Sequence, residues 1–226
     1  MITKNKVKVY HFTTKEYGLQ VLRNQRIKVA VIDELNDPFE LLSADLSDRN
    51  EKRKFLSWKK SMSRKIGFIC CSGNIEEPLL WSHYADKHKG VVVELDVNPE
   101  CLIKVKYRKT RSKLNFDKIY EDGKFKETLA KDLGSTKYIK WNYENEYRIP
   151  IDLKGCVIDK NHYFAPTDDS LSITGIIEGP LCDLSRKDVE ENITPGCEVT
   201  LSHARLAAKS YKVIESNKLG SVTITG

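Results

Sequence analysis

The sequence lacks the features that define several large classes of protein. No apolar run approaches the ~20 residues that a membrane-spanning helix needs. Residues 1–6 lack the apolar stretch and the small-residue cleavage site of a secretory leader. The six cysteines form no C-x-x-C pair and no zinc-ligand spacing. These absences predict a cytoplasmic protein with reduced, mostly buried thiols and no membrane partner.

Sequence motifs for phosphate loops, nucleophilic hydrolysis and metal binding are also absent. The chain contains neither G-x-G-x-x-G nor a P-loop, and it contains neither G-x-S-x-G nor a Cys/His/Asn arrangement. His83 and His88 are five residues apart and have no evident third ligand, so no metal site is predicted. A metal-dependent nuclease remains a minor alternative, because paired carboxylates suit divalent ions; its candidate residues are Glu144, Glu146, Asp37 and His83.

The composition is that of a globular protein with a basic bias. The chain has 226 residues, 40% of them hydrophobic, 31% charged, and a formal net charge of +6. No linker or repeat divides it, so we expect a single domain over residues 1–226. Basic residues cluster at 49–65 and at 104–118. Such stretches are either solvated surfaces or attract a polyanion such as nucleic acid.

The hydrophobic pattern predicts many short strands interrupted by helices. Strands are predicted at residues 7–12, 27–32, 66–72, 91–97, 102–107, 141–148, 155–158 and 175–178. Helices are predicted after Thr13, which forms a capping box with Glu16, and at residues 49–62, 78–84, 123–133 and 185–192. This order indicates an α+β fold with a mixed or antiparallel sheet and flanking helices.

The segment at 141–148 is the strongest candidate for a working site. If it is a strand, alternation places Glu144, Glu146 and Arg148 on one face, and the aromatic residues Trp141, Tyr143 and Tyr147 on the other. The aromatic face would then pack on the core. The charged face is either a catalytic carboxylate pair or a solvated surface with one Glu–Arg pair.

Three further segments contain candidate binding residues, each with a structural alternative. His11, next to Tyr10, is either a hydrogen-bonded structural histidine or a ligand contact. On the helix at 78–84, the aromatic side chains of Trp81 and Tyr84 either pack in the core or form a wall that stacks on a planar ring. Capping explains Asp37, Pro38 and Glu40, whereas Asn36 has no such explanation.

These segments together resemble a known family. The segments at 10–13, 36–40, 81–85 with Gly90, and 141–148 follow one another as in a bacterial domain-of-unknown-function family that includes AbiGi-type abortive-infection proteins. The similarity extends from about residue 7 to residue 180. It implies a bacterial cytosolic protein with a connection to phage defence or toxin–antitoxin systems.

The order of motifs is also similar to that of ADP-ribosyltransferases. This resemblance implies that NAD is a substrate, that His11 contacts its adenosine-side ribose, and that Glu146 is the catalytic carboxylate while Glu144 assists the acceptor. The implied NAD contacts are Tyr10, His11, Asn36, Ser72, Trp81, His83, Tyr84 and Arg148. The chain has no Ser-Thr-Ser triplet on a strand, so Ser72 departs from the pattern of that superfamily.

Two functions of different classes follow. The first is an NAD-dependent ADP-ribosyltransferase or NAD glycohydrolase, in which His11 and Glu146 open into one cleft. The second is a non-catalytic module that binds nucleic acid or a phage protein through the basic stretches.

Overall fold

The structure, a computed structural model, describes residues 5–37, 39, 42–113, 120–121, 124–125, 134–216 and 220–226. Within these ranges the helices are α1 (Lys15–Asn24), α2 (Arg49–Ser63), α3 (Pro78–Tyr84) and α4 (Arg186–Glu190). Each is capped by a polar side chain just before it, Thr14, Asp48, Glu77 and Ser185 respectively. These caps satisfy backbone N–H groups that a helix start leaves without partners.

The strands are short and numerous in the same part of the chain. They are β1 (Val7–Thr13), β2 (Arg26–Val31), β3 (Ile66–Ser72), β4 (Val91–Val97), β5 (Ile103–Lys104), β6 (Lys106–Arg108), β7 (Tyr120–Glu121), β8 (Lys124–Phe125), β9 (Thr136–Tyr138), β10 (Glu146–Asp152), β11 (Val157–Asp159), β12 (His162–Pro166), β13 (Leu171–Glu178), β14 (Glu198–Leu206), β15 (Val213–Glu215) and β16 (Val222–Thr225).

Twelve of these strands form one branched, mixed sheet. The main order is β11-β12-β2-β3-β1-β4-β13-β14-β15, with β10 beside β3, β5 beside β10, and β16 beside β14. Pairing is antiparallel except between β13 and β14, which run parallel. The fold is therefore α+β with a large mixed sheet and a few helices, as predicted.

The two faces of the sheet are covered by different elements. On one face, Val9 of β1 and Ile69 of β3 join the main core with Val21 and Leu22 of α1. On the other face, Phe12 of β1 packs against Trp81 of α3 at a ring distance of 5.1 Å. On that same face, Phe68 of β3 packs against Phe55 of α2. Successive residues of a strand thus serve different cores.

Most predicted elements near the site are confirmed, and four details are corrected. The first helix is capped by Thr14 and not by Thr13, because the Thr14 hydroxyl accepts from Tyr17 N at 3.3 Å. The predicted strand at 102–107 is two short strands, of which one pairs with β10 and the other with β9. The predicted helix at 123–133 contains strand β8, and the rest of it up to 133 lies outside the described residues. The six thiols are free, but five are only half-buried and Cys71 alone is fully buried.

None of the described helices is long and apolar enough to cross a membrane.

Candidate functional site

The segment at 141–148 is not one strand. Residues Ile139–Glu144 form a 3-10 helix, Asn145 adopts a left-handed conformation with φ 43° and ψ 48°, and strand β10 starts only at Glu146. The predicted alternation therefore fails before Glu146. Because the chain turns at Asn145, Glu144 and Glu146 still converge, although one is on a helix and the other on a strand. Both carboxylates are buried, and Trp141, Tyr143 and Tyr147 are only half-buried, which reverses the predicted burial.

Four buried charged side chains form the charge cluster: Lys137, Glu144, Glu146 and Arg148. Lys137 Nζ lies 2.6 Å from Glu144 Oε2 and 3.2 Å from Glu146 Oε2. Arg148 donates from Nε to Glu146 Oε1 at 2.7 Å and from Nη2 to Glu146 Oε2 at 3.1 Å. Side-chain exposure is 6% or less for every member. Among the described residues, two positive and two negative charges are paired here, and this pairing makes their burial tolerable.

Polar contacts hold Glu144 and connect it to the surface. The Tyr84 hydroxyl donates to Glu144 Oε1 at 2.7 Å and accepts from Asn36 Nδ2 at 2.7 Å. Asn36 is exposed, so this chain of hydrogen bonds links the buried carboxylate to solvent. The Ser72 hydroxyl donates to the Glu144 backbone carbonyl at 2.7 Å. Ser72 therefore positions the turn and is not free to bind a ligand through that proton.

The two carboxyl groups have pKa values displaced in opposite directions. Burial raises the pKa of Glu144 above its ordinary value, against the attraction of Lys137 and the hydrogen bond from Tyr84. Burial also opposes ionisation of Glu146, but the charges and hydrogen bonds of Arg148 and then Lys137 outweigh it, so the pKa of Glu146 is lowered. A carboxyl pair separated in this way is typical of acid–base sites, although structural ion networks show it too.

Other hydroxyl groups around the cluster remain protonated. Burial is the main reason that the pKa of Tyr84 is raised, and the neighbouring Glu144 raises it further. Burial likewise raises the pKa of Tyr107 to about 12. The Tyr107 hydroxyl accepts from the Glu146 backbone N–H at 2.8 Å. Both phenols are thus hydrogen-bonding groups at neutral pH.

A basic pocket of about 360 Å³ adjoins the cluster. Its lining includes Arg108, Lys109 and Arg111, together with Lys137 itself. Arg111 lies over the Phe39 ring at 5.2 Å. The buried Asp37 also lines the pocket, and its Oδ1 accepts from Phe39 N at 2.9 Å, as a capping residue does. Pro38 and Glu40, which were expected to complete that helix start, lie outside the described residues.

His11 lies on the opposite face of the sheet from the cluster. Strand pairing aligns Glu146 with Ser72 and Ser72 with Tyr10, so these three point to one side and His11 points to the other. His11 Nδ1 lies 2.9 Å from the Cys70 carbonyl, and burial lowers the pKa of the imidazole. The expectation that His11 and Glu146 open into one cleft is wrong, because the sheet lies between them.

The remaining predicted contacts divide into core and surface residues. Trp81 is fully buried and its Nε1 donates to the Ile75 carbonyl at 2.7 Å, so it is a core residue and does not flank a ligand. His83 is exposed, with its ring 6.4 Å from that of Tyr143. Tyr10 is half-buried, two strands from Glu146 on the same face. Arg148, expected to bind a ligand, is fully buried and holds Glu146 instead.

Lys137 is the functional residue that the sequence did not single out. It precedes Glu144 by seven residues and is one of 38 basic residues in the chain. Its partners become evident only when β9 is placed beside β6 and the 3-10 segment folds back. Lys137 also lies 4.7 Å from the centre of the Trp141 ring, which is a cation–π contact.

Comparison with known proteins gives one match. Residues 80–149 match the family described as "Protein of unknown function (DUF2971)". The matched segment includes Tyr84 and the whole charge cluster, and it excludes His11, Asn36 and Ser72. No curated protein and no solved structure matches the chain.

Proposed function

We propose that the protein is an NAD-consuming enzyme of the ADP-ribosyltransferase type, which acts at the charge cluster and the basic pocket. Lys137 is the observation on which the proposal rests. Its side chain lines the pocket, and its Nζ is bonded to both Glu144 and Glu146. A phosphate group in the pocket would therefore attract the same ammonium that neutralises the two carboxylates.

The pocket suits the pyrophosphate of NAD. Arginine presents several N–H donors in a planar fork that matches phosphate oxygens, and lysine adds a compact charge. Arg108, Lys109 and Arg111 supply these groups beside Lys137, whereas Asp37 is the opposing charge in the lining. The pocket lining therefore has an excess of positive charge.

The carboxylate pair suits cleavage of the bond between nicotinamide and ribose. This cleavage develops positive charge at the anomeric carbon, as glycoside hydrolysis does. Glu146, whose pKa is lowered, is ionised and supplies negative charge to stabilise that centre. Glu144, whose pKa is raised, is the better base of the pair and would accept the proton of the attacking acceptor or water. His11 takes no part in this proposal.

Nicotinamide release from NAD tests the proposal directly. We expect wild-type protein to release nicotinamide, and Glu146→Gln to reduce the rate by about 100-fold or more, since one charge-stabilising group contributes on that order. His11→Gln, on the other face of the sheet, serves as the matched control and should retain the rate within about threefold. Thermal melting confirms that each variant is folded. Absence of release by wild-type protein, or equal loss in both variants, would overturn the proposal.

A nucleic-acid-binding module is the second candidate, and the basic pocket favours it. Arg111 over Phe39 joins a cation to an aromatic ring, and such pairs occur where single-stranded nucleic acid binds. In this case the protein would bind an oligonucleotide with an affinity that falls with salt, without turning over NAD. Arg111→Gln would then reduce the slope of log affinity against log salt by about 1. Because the chain resembles abortive-infection proteins, we propose phage defence as the biological role of either candidate function.

A further inference from the structure

A second cavity is lined by residues of β1, β2, β12 and helix α1. Its volume is about 420 Å³, within the range of small-ligand sites. Arg26 and Lys28 of β2 belong to the lining, and Phe164 of β12, which pairs with Lys28 across the two strands, lies on the same side of the sheet as Lys28. Helix α1 and the end of β1 complete the lining. This cavity is separate from the site of the proposed function.

Arg26 contributes a hydrogen-bond donor that no described residue uses. Its guanidinium lies 4.4 Å from the centre of the Phe164 ring, and its Nη2 lies 2.6 Å from Asp159 Oδ2. These contacts fix the side chain, but Nε is buried and has no partner among the described residues. The same is true of His162 Nδ1, which also belongs to the lining. Buried polar atoms without partners are rare in folded proteins, and a ligand that bonds to them would remove the cost.

His11 contributes a hydrogen-bond acceptor. Nδ1 lies 2.9 Å from the Cys70 carbonyl oxygen, and because a carbonyl only accepts, Nδ1 carries the proton. Burial lowers the pKa of His11, so the ring is neutral and Nε2 is left unprotonated. A ligand that meets His11 at Nε2 must therefore donate a proton, as a hydroxyl group does.

The charges of the lining favour a singly or doubly anionic ligand. Arg26 and Lys28 are positive. Asp159 is held by Arg26, and Glu34, the carboxylate in the lining, is exposed to solvent, which screens its charge. The positive charge of Lys28 is therefore less compensated than that of Arg26. Beside it, Arg26 Nε is a hydrogen-bond donor without a partner among the described residues.

We propose that this cavity binds a sugar phosphate, with the phosphate at Arg26 Nε, Lys28 and His162 and a sugar hydroxyl at His11. Phosphate oxygens accept hydrogen bonds from Arg26 Nε, Lys28 and His162. The sugar hydroxyl donates its proton to His11. The aromatic ring of Phe164, already covered by Arg26, holds the guanidinium in place for this contact.

Isothermal titration with ribose 5-phosphate tests the proposal. We expect saturable binding to the wild-type protein, and affinity at least about tenfold lower for ribose alone or inorganic phosphate alone. Arg26→Lys retains the charge next to Asp159 but removes Nε, and Lys28→Met removes the second charge. Each should weaken binding by about tenfold, as expected when one charge-assisted hydrogen bond is lost.

Two control variants locate the binding. Lys109→Met lies in the basic pocket and should leave the affinity for ribose 5-phosphate unchanged, and so should Glu146→Gln. Thermal melting of every variant shows whether it is folded. The proposal would be overturned by an absence of saturable binding, or by binding that Lys109→Met abolishes and Lys28→Met leaves intact. Because Glu146→Gln separates the sites, failure of NAD turnover and failure of this binding are distinguishable.

Discussion

At the scale of single residues, the charge cluster shows how the surroundings decide what a carboxyl group does. Glu144 and Glu146 are two residues apart and share Lys137. Arg148 binds Glu146 through two nitrogens, whereas Glu144 has the Tyr84 hydroxyl. The positive charge of Arg148 beside Glu146 lowers the pKa of that carboxyl group. At Glu144 the effect of burial is larger than that of the neighbouring charge, and the pKa is raised.

The raised pKa of Glu144 has a consequence for stability against pH. A carboxyl group whose pKa is higher in the folded state binds more protons there than in the unfolded chain, so its contribution to stability is lost as pH rises. The loss occurs over a pH window that begins at the ordinary glutamate pKa of 4.5 and extends up to the pKa of Glu144 in the folded protein. Glutamine is always neutral and lacks this dependence. We therefore expect the free energy of unfolding of Glu144→Gln, relative to wild type, to increase as the pH rises above 4.5.

Urea denaturation of both proteins across this pH range measures the difference. A difference between wild type and Glu144→Gln that stays constant or shrinks with rising pH would contradict the assignment of the raised pKa to Glu144.

The sequence pointed to three of the four residues of this cluster and missed Lys137. Glu144, Glu146 and Arg148 attract attention because they alternate with aromatic residues in a short segment. Burial, however, was predicted for the aromatic residues, since a single sequence does not show that Lys137 will neutralise the carboxylates. His11 was grouped with Glu146 by motif order, and motif order does not specify which face of a strand a side chain occupies.

At the scale of elements, the turn at Asn145 brings the two carboxylates together. Asn145 N donates to the Asn142 carbonyl at 3.2 Å, and Gly73 N donates to the Asn145 carbonyl at 2.9 Å. The backbone at Asn145 is left-handed, a conformation that asparagine and glycine tolerate better than other residues. A Cβ on Gly73 would lie 2.4 Å from Asn145 Nδ2, so the two segments are in close contact.

This geometry predicts losses of stability of different size for two substitutions at one position. Asn145→Val should destabilise the protein by about 1–3 kcal/mol, because a β-branched residue is strained at positive φ. Asn145→Gly should cost clearly less, because glycine adopts this conformation without steric strain. Thermal or urea unfolding of both variants provides the measurement. Equal losses would show that the Asn145 side chain matters more than its backbone conformation.

Elements with strong local patterns were predicted well, and those that depend on distant partners were not. Strands β3 and β4 and helix α3 have continuous apolar runs or a proline start, which are local properties. The short β5 and β6 exist because they pair with β10 and β9, far along the chain. The 3-10 segment resembles a strand in its alternation, and only the left-handed residue after it reveals the turn.

At the scale of the whole molecule, one sheet connects almost every described part of the chain. It includes strands from β1 near the start to β16 near the end. Strand β3 is its branching point, because it contacts β10 along one edge and both β2 and β1 along the other. The general class of this sheet followed from the sequence. The order of its strands could not be predicted. The parallel β13–β14 pair and the β3–β10 pair join segments whose hydrophobic patterns are compatible with many other strands.

A single connected sheet predicts cooperative unfolding of the whole chain. The three tryptophans report on different regions: Trp58 on α2, Trp81 in the core beside β1, and Trp141 beside Lys137. Far-UV circular dichroism and tryptophan fluorescence should therefore give the same urea midpoint. Trp58→Phe and Trp141→Phe remove one reporter each, and the coincidence should persist in both. A fluorescence transition that precedes the circular dichroism transition would indicate a separate folding unit.

The pairing of opposite charges in the charge cluster also restricts which substitutions this protein tolerates. Replacing any one of Lys137, Glu144, Glu146 or Arg148 by an apolar residue leaves an uncompensated buried charge, at a cost of about 3–5 kcal/mol. That is a large share of the stability of an ordinary domain. We therefore expect changes at these positions to be tolerated mainly in compensating pairs.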